Sequence, residues 1–261
     1  MKSTVWGAVT ALSLLLLASF VSASYISLRT SVDATNTTSI INVTHLGDET
    51  AYQVQVVTKL LGKTFESPIK ERFEVGDSIV ARIPFNFSNQ RTGLYPLLGA
   101  VHYQDANGYL FSVLFSKLVA NKEPTRSEIN VKLDDHEIRD AVRVPVTLRN
   151  LGEDSKNVHL FLFTSDEFIV TDNNLSISIG PKDEKSEVFE VKNFGARAGS
   201  NYVFYAVAEY DAQDKHYSSV DAGGMKVLLE KNRFFDTRTL IIALAVVALF
   251  LIVLQFTRKK K

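Results

Sequence analysis

Apolar and polar residues alternate along most of the chain between residues 25 and 229, with many β-branched residues among them. Alternation with a period of two is typical of strands that bury one face, so this part of the chain is predicted to be all-β. Outside two apolar ends, no segment of ten or more residues shows the period of an amphipathic helix. The clearest predicted strands in the first half are residues 25–32, 38–44, 52–60, 79–87 and 97–103.

Residues typical of turns separate these strands. Four such turn signals fall between the predicted strands: Gly47-Asp48, Gly76-Asp77, Gly93 and Asp-Ala-Asn-Gly at residues 105–108. Asn-Gly between two strands is a strong signal for a hairpin. Short strands joined by such turns predict immunoglobulin-like β-sandwiches.

One pattern occurs twice. Residues 41–49 (Ile-Asn-Val-Thr-His-Leu-Gly-Asp-Glu) are matched about 105 positions later by residues 146–154 (Val-Thr-Leu-Arg-Asn-Leu-Gly-Glu-Asp). This period is too long for a solenoid repeat, so it predicts two tandem copies of one domain. Further matches follow in the same order: Val54 and Val56 with Val158 and Leu160, residues 76–78 with 180–182, Gly93 and Tyr95 with Gly199 and Tyr202, and residues 100–105 with 208–211.

A polar segment with a proline, residues 121–127, separates the two copies. Domain boundaries fall in segments of this composition. We therefore expect a first sandwich domain at residues 24–121 and a second at residues 122–229, each of which buries its own core.

The first 23 residues predict a secretory signal peptide. Lys2 precedes an apolar stretch at residues 5–20, and the small residues Val21-Ser22-Ala23 suit cleavage before Ser24. The alternative is an N-terminal membrane span that is not cleaved.

A second apolar run, residues 240–256, predicts a single C-terminal transmembrane helix. At about 1.5 Å per residue it spans roughly 26 Å, near the short end for a bilayer. A juxtamembrane segment, residues 230–239, precedes it, and a basic tail, residues 257–261, follows. Because basic residues stay on the cytosolic side, we expect the two domains on the extracytoplasmic side, at a cell surface or in a lumen, and the C-terminus in the cytosol.

Composition narrows the chemistry. The chain has no cysteine, which removes disulfides and thiol catalysis, and its formal net charge is zero. A chain without an extended positive field is not expected to bind nucleic acid.

The search for catalytic and metal-binding patterns identifies little. The histidines are scattered singly and are interpreted as turn or surface residues: His45, His102, His136, His159 and His216. The densest acidic cluster, residues 134–137 with Asp140, is either a Ca²⁺ ligand set or, as we prefer, a solvated loop without a calcium-loop glycine. Gly223-Gly224 precedes no predicted helix and is not a phosphate loop. We therefore assign no catalytic, cofactor-binding or metal residue and expect no cofactor.

Four Asn-x-Ser/Thr triplets are candidate glycan acceptors in an exported chain. They begin at Asn36, Asn42, Asn86 and Asn174.

The apolar run at residues 109–116 is the candidate partner face. As a strand it carries apolar residues on both faces, whereas a sandwich strand normally buries one. The surplus face must be covered by the linker, by the second domain or by a protein partner, and we prefer cover within the chain. One face consists of Tyr109, Phe111, Val113 and Phe115, and Leu110 and Leu114 lie on the other.

The repeated pattern resembles a known family. An apolar strand ending in Asn/His-Leu-Gly-Asp/Glu, a Gly-x-Tyr element and a strand closing on Tyr-x-Asp are similar to CARDB-type immunoglobulin-like surface domains. This resemblance implies a seven-stranded sandwich with a role in presentation or adhesion and no catalytic residues. The layout of signal peptide, β-sandwich, single anchor and basic tail also resembles the β-subunit family of the translocon-associated complex.

Two functions are consistent with these features. The first is a non-enzymatic, membrane-anchored protein that presents two immunoglobulin-like domains for binding a protein or surface ligand, or as a scaffold. The second is an accessory subunit of a membrane complex, such as a secretion or translocation machine, whose anchor packs against partner helices. The expected partners are the lipid bilayer and a protein of unknown identity.

Overall fold

The computed structural model describes residues 25–35 and 37–229. The predicted signal peptide, juxtamembrane segment, transmembrane helix and basic tail lie outside these residues. Within the described residues, no helix is long and apolar enough to span a membrane.

The described residues form seventeen β-strands, which confirms the all-β prediction. The first half contains β1 (Leu28–Ala34), β2 (Thr38–His45), β3 (Ala51–Leu60), β4 (Lys63–Glu66), β5 (Lys70–Phe73), β6 (Ser78–Pro84), β7 (Thr92–Gln104) and β8 (Leu110–Asn121). The second half contains β9 (Ile129–Leu133), β10 (His136–Ile138), β11 (Ala141–Asn150), β12 (Lys156–Phe163), β13 (Phe168–Thr171), β14 (Leu175–Ile179), β15 (Glu184–Asn193), β16 (Asn201–Ala212) and β17 (Lys215–Val227).

Each half packs two sheets against each other. In the first sandwich, the sheet β1-β2-β6 faces strands β3, β4, β5, β7 and β8. In the second sandwich, the sheet β13-β15-β11-β9 faces β14-β12-β16-β17, and β10 pairs in parallel with β17. Alternating side chains from the two inner faces fill the space between the sheets, as period-two strands require.

The buried apolar clusters respect the boundary between the copies. Phe189 and Phe204 lie in one cluster that contains only residues of the second sandwich. Ile41 and Phe73 lie in a cluster of the first sandwich, and Tyr95 lies in a smaller one beside it. Each copy therefore has its own core among the described residues.

The repeated pattern encodes a cap on the loop that leaves β2 and β11. In the first copy, the Gly47 amide donates to His45 Nδ1 (3.1 Å), and His45 Nε2 donates to the Glu49 carbonyl (2.7 Å). In the second copy, the Gly152 amide donates to Asn150 Oδ1 (2.9 Å), and Asn150 Nδ2 donates to the Asp154 carbonyl (2.8 Å).

His45 and Asn150 thus hydrogen-bond to equivalent backbone groups in the two copies, one through an imidazole and the other through an amide. Each accepts from residue i+2 and donates to the carbonyl of residue i+4, which a neutral imidazole with its proton on Nε2 and a side-chain amide can both do. The interpretation of His45 as a turn or surface histidine is therefore wrong as to exposure, because the residue is 0 % exposed. The His45 side chain must lie within the loop to reach the Gly47 amide and the Glu49 carbonyl.

The glycine after the cap meets backbone of a neighbouring segment in the first copy, where a side chain cannot fit, and meets only a movable side chain in the second. A Cβ on Gly47 would lie 2.3 Å from the Tyr25 carbonyl oxygen, and a Cβ on Gly152 would lie 2.4 Å from Glu128 Oε2. In both copies the residue between cap and glycine donates its amide to this neighbouring segment: Leu46 to Ser27 and Leu151 to Glu128.

The predicted match of Gly76 with Gly180 is wrong by two positions. The turn before β6 closes from the Asp77 amide to the Glu74 carbonyl, and the turn before β15 closes from the Asp183 amide to the Gly180 carbonyl. Lys182 therefore occupies the position of Gly76, and both have positive φ, 55° and 85°. A left-handed residue is what the turn needs, and glycine is only the commonest way to supply it.

The hairpin predicted at residues 105–108 is confirmed. It joins β7 to β8, and Asp105 Oδ1 accepts the amides of Asn107 (2.8 Å) and Tyr109 (3.0 Å). These bonds outweigh burial, which alone would raise the pKa of Asp105, and together with Arg197 they hold that pKa below its usual value. The corresponding hairpin between β16 and β17 is a two-residue turn in which Gln213 and Asp214 both have positive φ.

The capping role of His45 can be tested by replacing it with the asparagine that the second copy uses. His45→Ala removes the acceptor of the Gly47 amide and the donor to the Glu49 carbonyl, so we expect a loss of about 1–3 kcal/mol in the free energy of unfolding. His45→Asn supplies the groups that the second copy uses and should lose less. Urea unfolding of residues 25–229 measures both, and equal losses would contradict the capping role.

Candidate functional site at the domain junction

The two sandwiches are joined by backbone pairing. The start of β17 pairs in parallel with the start of β7, with Lys215 opposite Thr92 and His216 opposite Gly93. This contact makes one ten-stranded sheet that runs through both copies. The junction is therefore a continuation of the sheet and not only a contact between surfaces.

The pairing places the two copies in opposite orientations. The repeat makes β7 equivalent to β16, which is antiparallel to β17. Because β17 runs parallel to β7, the equivalent strands β7 and β16 run in opposite directions. The β7–β8 hairpin of the first copy consequently lies at the end where β17 finishes.

Gly93 permits this close approach. Its φ is 155°, and a Cβ at this position would lie 1.9 Å from the carbonyl oxygen of His216. Real Cβ atoms do not come so near to backbone, so a side chain here would force β7 and β17 apart. The sequence identified Gly93 only as a turn and repeat residue.

His216 is the centre of a polar group at the junction. Its ring stacks on Tyr95 of the first sandwich, with centroids 4.1 Å apart and an interplanar angle of 7°. Nδ1 lies 2.9 Å from Asp211 Oδ1, and Nε2 lies 3.1 Å from Glu209 Oε1. The side chain is only 15 % exposed, so the interpretation of His216 as a turn or surface residue is wrong.

These carboxylates determine the charge of the imidazole. Burial lowers the pKa of His216, but the hydrogen bonds and negative charges of Glu209 and Asp211 outweigh burial and raise the pKa above its usual value. A protonated ring donates from both nitrogens, which matches the two carboxylate acceptors. The stack on Tyr95 then places a cation against an aromatic face.

Further bonds cross the junction beside His216. Arg91 of the first sandwich forms an ion pair with Asp211 of the second at 2.6 Å. The Ser218 hydroxyl donates to the Leu94 carbonyl (2.7 Å), and the Thr125 hydroxyl of the linker donates to the His216 carbonyl (2.8 Å). The linker is thereby tied to the junction that it connects.

The outer face of β7 and β8 is covered by the second sandwich. Leu98, Ala100 and Leu114 are buried but belong to no core cluster of the first copy. They line a small interdomain space together with residues 162–166, and the Tyr205 hydroxyl donates to the Leu114 carbonyl at 3.5 Å. The Leu110 and Leu114 face of the predicted strand therefore receives cover within the chain at Leu114, whereas Leu110 is exposed.

The other face of the candidate partner strand points into the first sandwich. Phe115 belongs to the core, and Phe111 and Val113 pack against it. Tyr109 precedes β8 and is exposed. In this structure three of the four residues of the candidate partner face are thus engaged within their own domain, whereas Tyr109 is exposed and contacts Arg197 of the second sandwich.

A cleft of about 630 Å³ opens between the sandwiches beside the β7–β8 hairpin. Tyr109, Leu110 and Phe194 lie on it with exposed apolar surface. Ser112 donates to Glu167 Oε2 across it at 2.7 Å. Arg197 closes one side, since its guanidinium lies 4.9 Å from the Tyr109 ring centroid and 3.4 Å from Asp105.

The remaining predicted residues lie apart from the junction. Asn86 and Asn174 are exposed, Asn42 is half-buried on β2, and Asn36 lies outside the described residues. The Ser88 hydroxyl donates to Asn86 Oδ1 at 2.7 Å. These glycan acceptors remain predictions.

The acidic cluster contributes to pairing at the β9–β10 edge. Asp134 pairs with Lys132 (2.8 Å), Asp135 accepts the Gly224 amide (2.6 Å) and Glu137 pairs with Lys226 (3.3 Å). Across residues 25–35 and 37–229, no three His, Asp or Glu side chains are grouped as metal ligands would be.

Comparisons with known proteins give no family. No protein-family model and no curated protein matches the sequence. Solved structures that match include the methylamine-reacted alpha-2-macroglobulin of Salmonella (9 % identity, TM-score 0.32, covering 78 % of this chain and 16 % of that one). Others are the alpha-2-macroglobulin of E. coli (8 %, 0.30, 77 % and 17 %) and red sea bream transglutaminase (11 %, 0.27, 80 % and 32 %).

This chain spans less than a third of each of these proteins. Because all three TM-scores are below 0.5, the likenesses add nothing to the interpretation of the junction. None of the three is a CARDB-type domain or a translocon-associated β subunit, so that resemblance stays a prediction.

The backbone junction predicts a strong effect of one added methyl group. Gly93→Ala should separate β7 from β17, because its Cβ would meet the His216 carbonyl, and should split coupled unfolding into two transitions. Gly195→Ala is the matched control, since nothing lies within 4 Å of its added Cβ. Differential scanning calorimetry measures the transitions, and identical curves for the two variants would show that the pairing does not couple the domains.

The junction should also weaken as the pH rises. A histidine whose pKa is raised on folding stabilises the fold fully below its unfolded pKa of about 6.5, and this contribution is lost as the pH rises through the folded pKa. Glu209 and Asp211 face the ring from β16, and Arg91 reaches Asp211 from the first sandwich.

We therefore expect the stability difference between wild type and His216→Gln to shrink as the pH rises above about 6.5. Urea unfolding at each pH measures this difference. A difference that is constant or grows with pH would contradict a protonated His216.

Proposed function

We propose that this protein is a non-enzymatic, membrane-anchored scaffold that presents two immunoglobulin-like sandwiches as one rigid platform outside the cytoplasm. The observation that supports the proposal is the backbone pairing of β17 with β7, which makes a ten-stranded sheet through both copies. Two domains on a free linker sample many angles, whereas paired strands fix one.

The side chains at the junction support the same role. The Tyr95–His216 stack, the Arg91–Asp211 ion pair and the Ser112–Glu167 hydrogen bond all connect one sandwich to the other. These polar groups hold one another and orient the domains. The Ser218 hydroxyl lies 3.3 Å from His216 Nε2, whose Nδ1 meets Asp211, but this hydroxyl is buried and donates to the Leu94 carbonyl at 2.7 Å, so it also serves the junction. A fixed relative orientation suits a platform for a partner that contacts both copies.

The membrane part of the proposal comes from the sequence. The apolar run at residues 240–256 with its basic tail predicts the anchor, and residues 1–23 predict export. The CARDB-type resemblance supports presentation or adhesion as the use of such domains.

An accessory subunit of a membrane complex is the second candidate. It rests on Ala243, Ala245 and Ala248 in the predicted helix, because small residues allow close helix packing. In this alternative the anchor recognises the partner, and the sandwiches serve a secondary role.

Protease protection tests the topology. Protease added to sealed vesicles or intact cells should remove residues 25–229 and spare a tag at the C-terminus. Loss of the tag with protection of the domains would invert the arrangement.

An anchor exchange separates the two candidate functions. Residues 240–256 are replaced by an unrelated transmembrane helix of equal length, and proteins crosslinked to the chain in intact membranes are compared with those of the wild type. A scaffold keeps its crosslinked partner after the exchange and loses it in Gly93→Ala, whereas an accessory subunit loses it on the exchange.

A further inference from the structure

One end of the domain pair, here called the basal end, is defined by the finishing points of two parallel strands. β7 finishes at Gln104, β17 finishes at Val227, and the two strands run in the same direction from their pairing at Gly93 and His216. Side chains from the two sandwiches also meet at the basal end. Arg197, beside the end of β17, packs on Tyr109 and pairs with Asp105, which both follow the end of β7.

Both ends of the described chain lie at the basal end. β3 begins there, because Tyr52 pairs with Gln104, and the loop before β3 is bound to the start of the chain by a bond of 2.6 Å from the Tyr25 amide to Asp48 Oδ1. At the other terminus, Gly199 donates its amide to the carbonyl of Val227, and Leu229 follows directly. The segment toward residue 240 therefore leaves from the basal end.

Exposed apolar side chains concentrate at this same end. Within residues 25–35 and 37–229, thirteen large apolar residues are exposed. Seven of them lie in the basal loops or at Leu110, the strand residue beside one of these loops, so the distribution is not even. The most exposed are Phe194 (77 %), Leu229 (70 %), Leu110 (66 %), Tyr25 (58 %) and Tyr109 (57 %), with Val75 and Leu46 beside them.

We propose that the basal end rests on the surface of the bilayer, with Tyr109, Leu110, Phe194 and Leu229 inserted among the lipid headgroups. The inference rests on the membrane anchoring of the proposed function. Aromatic and aliphatic residues at one end of a membrane-attached domain match the residue types that favour the interface.

The length of the connecting chain supports a bilayer as the occupant. Only ten residues, 230–239, separate the described chain from the predicted span. Even fully extended, ten residues reach only about 35 Å, and the segment must leave from beside Leu229. The apolar end is therefore the part of the domain pair that the anchor keeps nearest to the lipid.

The charges at the basal end indicate the kind of lipid surface. Arg197 is paired with Asp105, and Lys226 is paired with Glu137. Asp48, Asp140 and Asp166 add exposed negative charge, with Arg139 as a nearby cation. An end with this balance is not drawn to anionic lipid, so contact through apolar side chains should be strongest on a zwitterionic surface.

The arrangement also explains the exposed cleft. Its apolar rim at Tyr109, Leu110 and Phe194 faces the lipid, which would cover surface that neither sandwich covers. The broad sheet faces and the opposite end, which carries Leu151, stay free for a protein partner.

Tryptophan fluorescence tests the contact in the full-length protein. The single tryptophan, Trp6, lies in the predicted signal peptide, so a Trp6→Phe background removes all native tryptophan emission. Phe194→Trp is introduced into this background, and Leu151→Trp, exposed at the opposite end, is the matched control. Each protein is reconstituted into phosphatidylcholine vesicles with or without lipids brominated on the acyl chains.

Bromolipids should remove roughly half or more of the Phe194→Trp emission, because an interfacial side chain lies about 5–10 Å deep, and should leave Leu151→Trp unchanged. The same quenching should persist, without increase, when anionic lipid is added. Equal emission of the two variants in bromolipid, or blue-shifted but unquenched emission of Phe194→Trp because protein covers it, would overturn the inference. A chain that does not float with the vesicles would instead refute the membrane anchoring itself.

Discussion

The pairing of two backbone segments at Gly93 and His216 is the contact on which the arrangement of the molecule depends. Each sandwich has its own buried core, so the cores alone would leave the angle between the copies undetermined. Two strands in register remove that freedom because backbone donors and acceptors have fixed spacing. The stack of His216 on Tyr95 and the ion pair of Arg91 with Asp211 then lie at positions that this register determines.

The two copies show how one loop geometry is kept while its chemistry changes. His45 and Asn150 serve the amide at i+2 and the carbonyl at i+4 in the same way. Lys182 takes the left-handed position that Gly76 holds in the first copy. What is repeated is therefore a set of backbone requirements, and the residues are different solutions to it.

The opposite orientation of the copies has a consequence for the whole molecule. Because β7 and β17 run in parallel, the β7–β8 hairpin of the first copy and the finish of β17 in the second come together at one end. The start and the end of the described chain lie at that end as well, as do exposed apolar side chains such as Phe194. A platform attached to a membrane at this end would direct its opposite end and its sheet faces outward.

The sequence by itself determined the all-β class and the 105–108 hairpin, and it predicted the tandem repeat and the segment that separates the copies, since each depends on local periodicity or turn chemistry. It also predicted that the apolar strand after that hairpin needs cover on a second face. Only the tertiary structure decided that residues 162–166 and Tyr205 contribute that cover, that His45 is buried and His216 largely enclosed, and that Gly93 lies under the His216 carbonyl. These features join residues far apart in the chain, and no local pattern encodes which strand edges of two separate domains will meet.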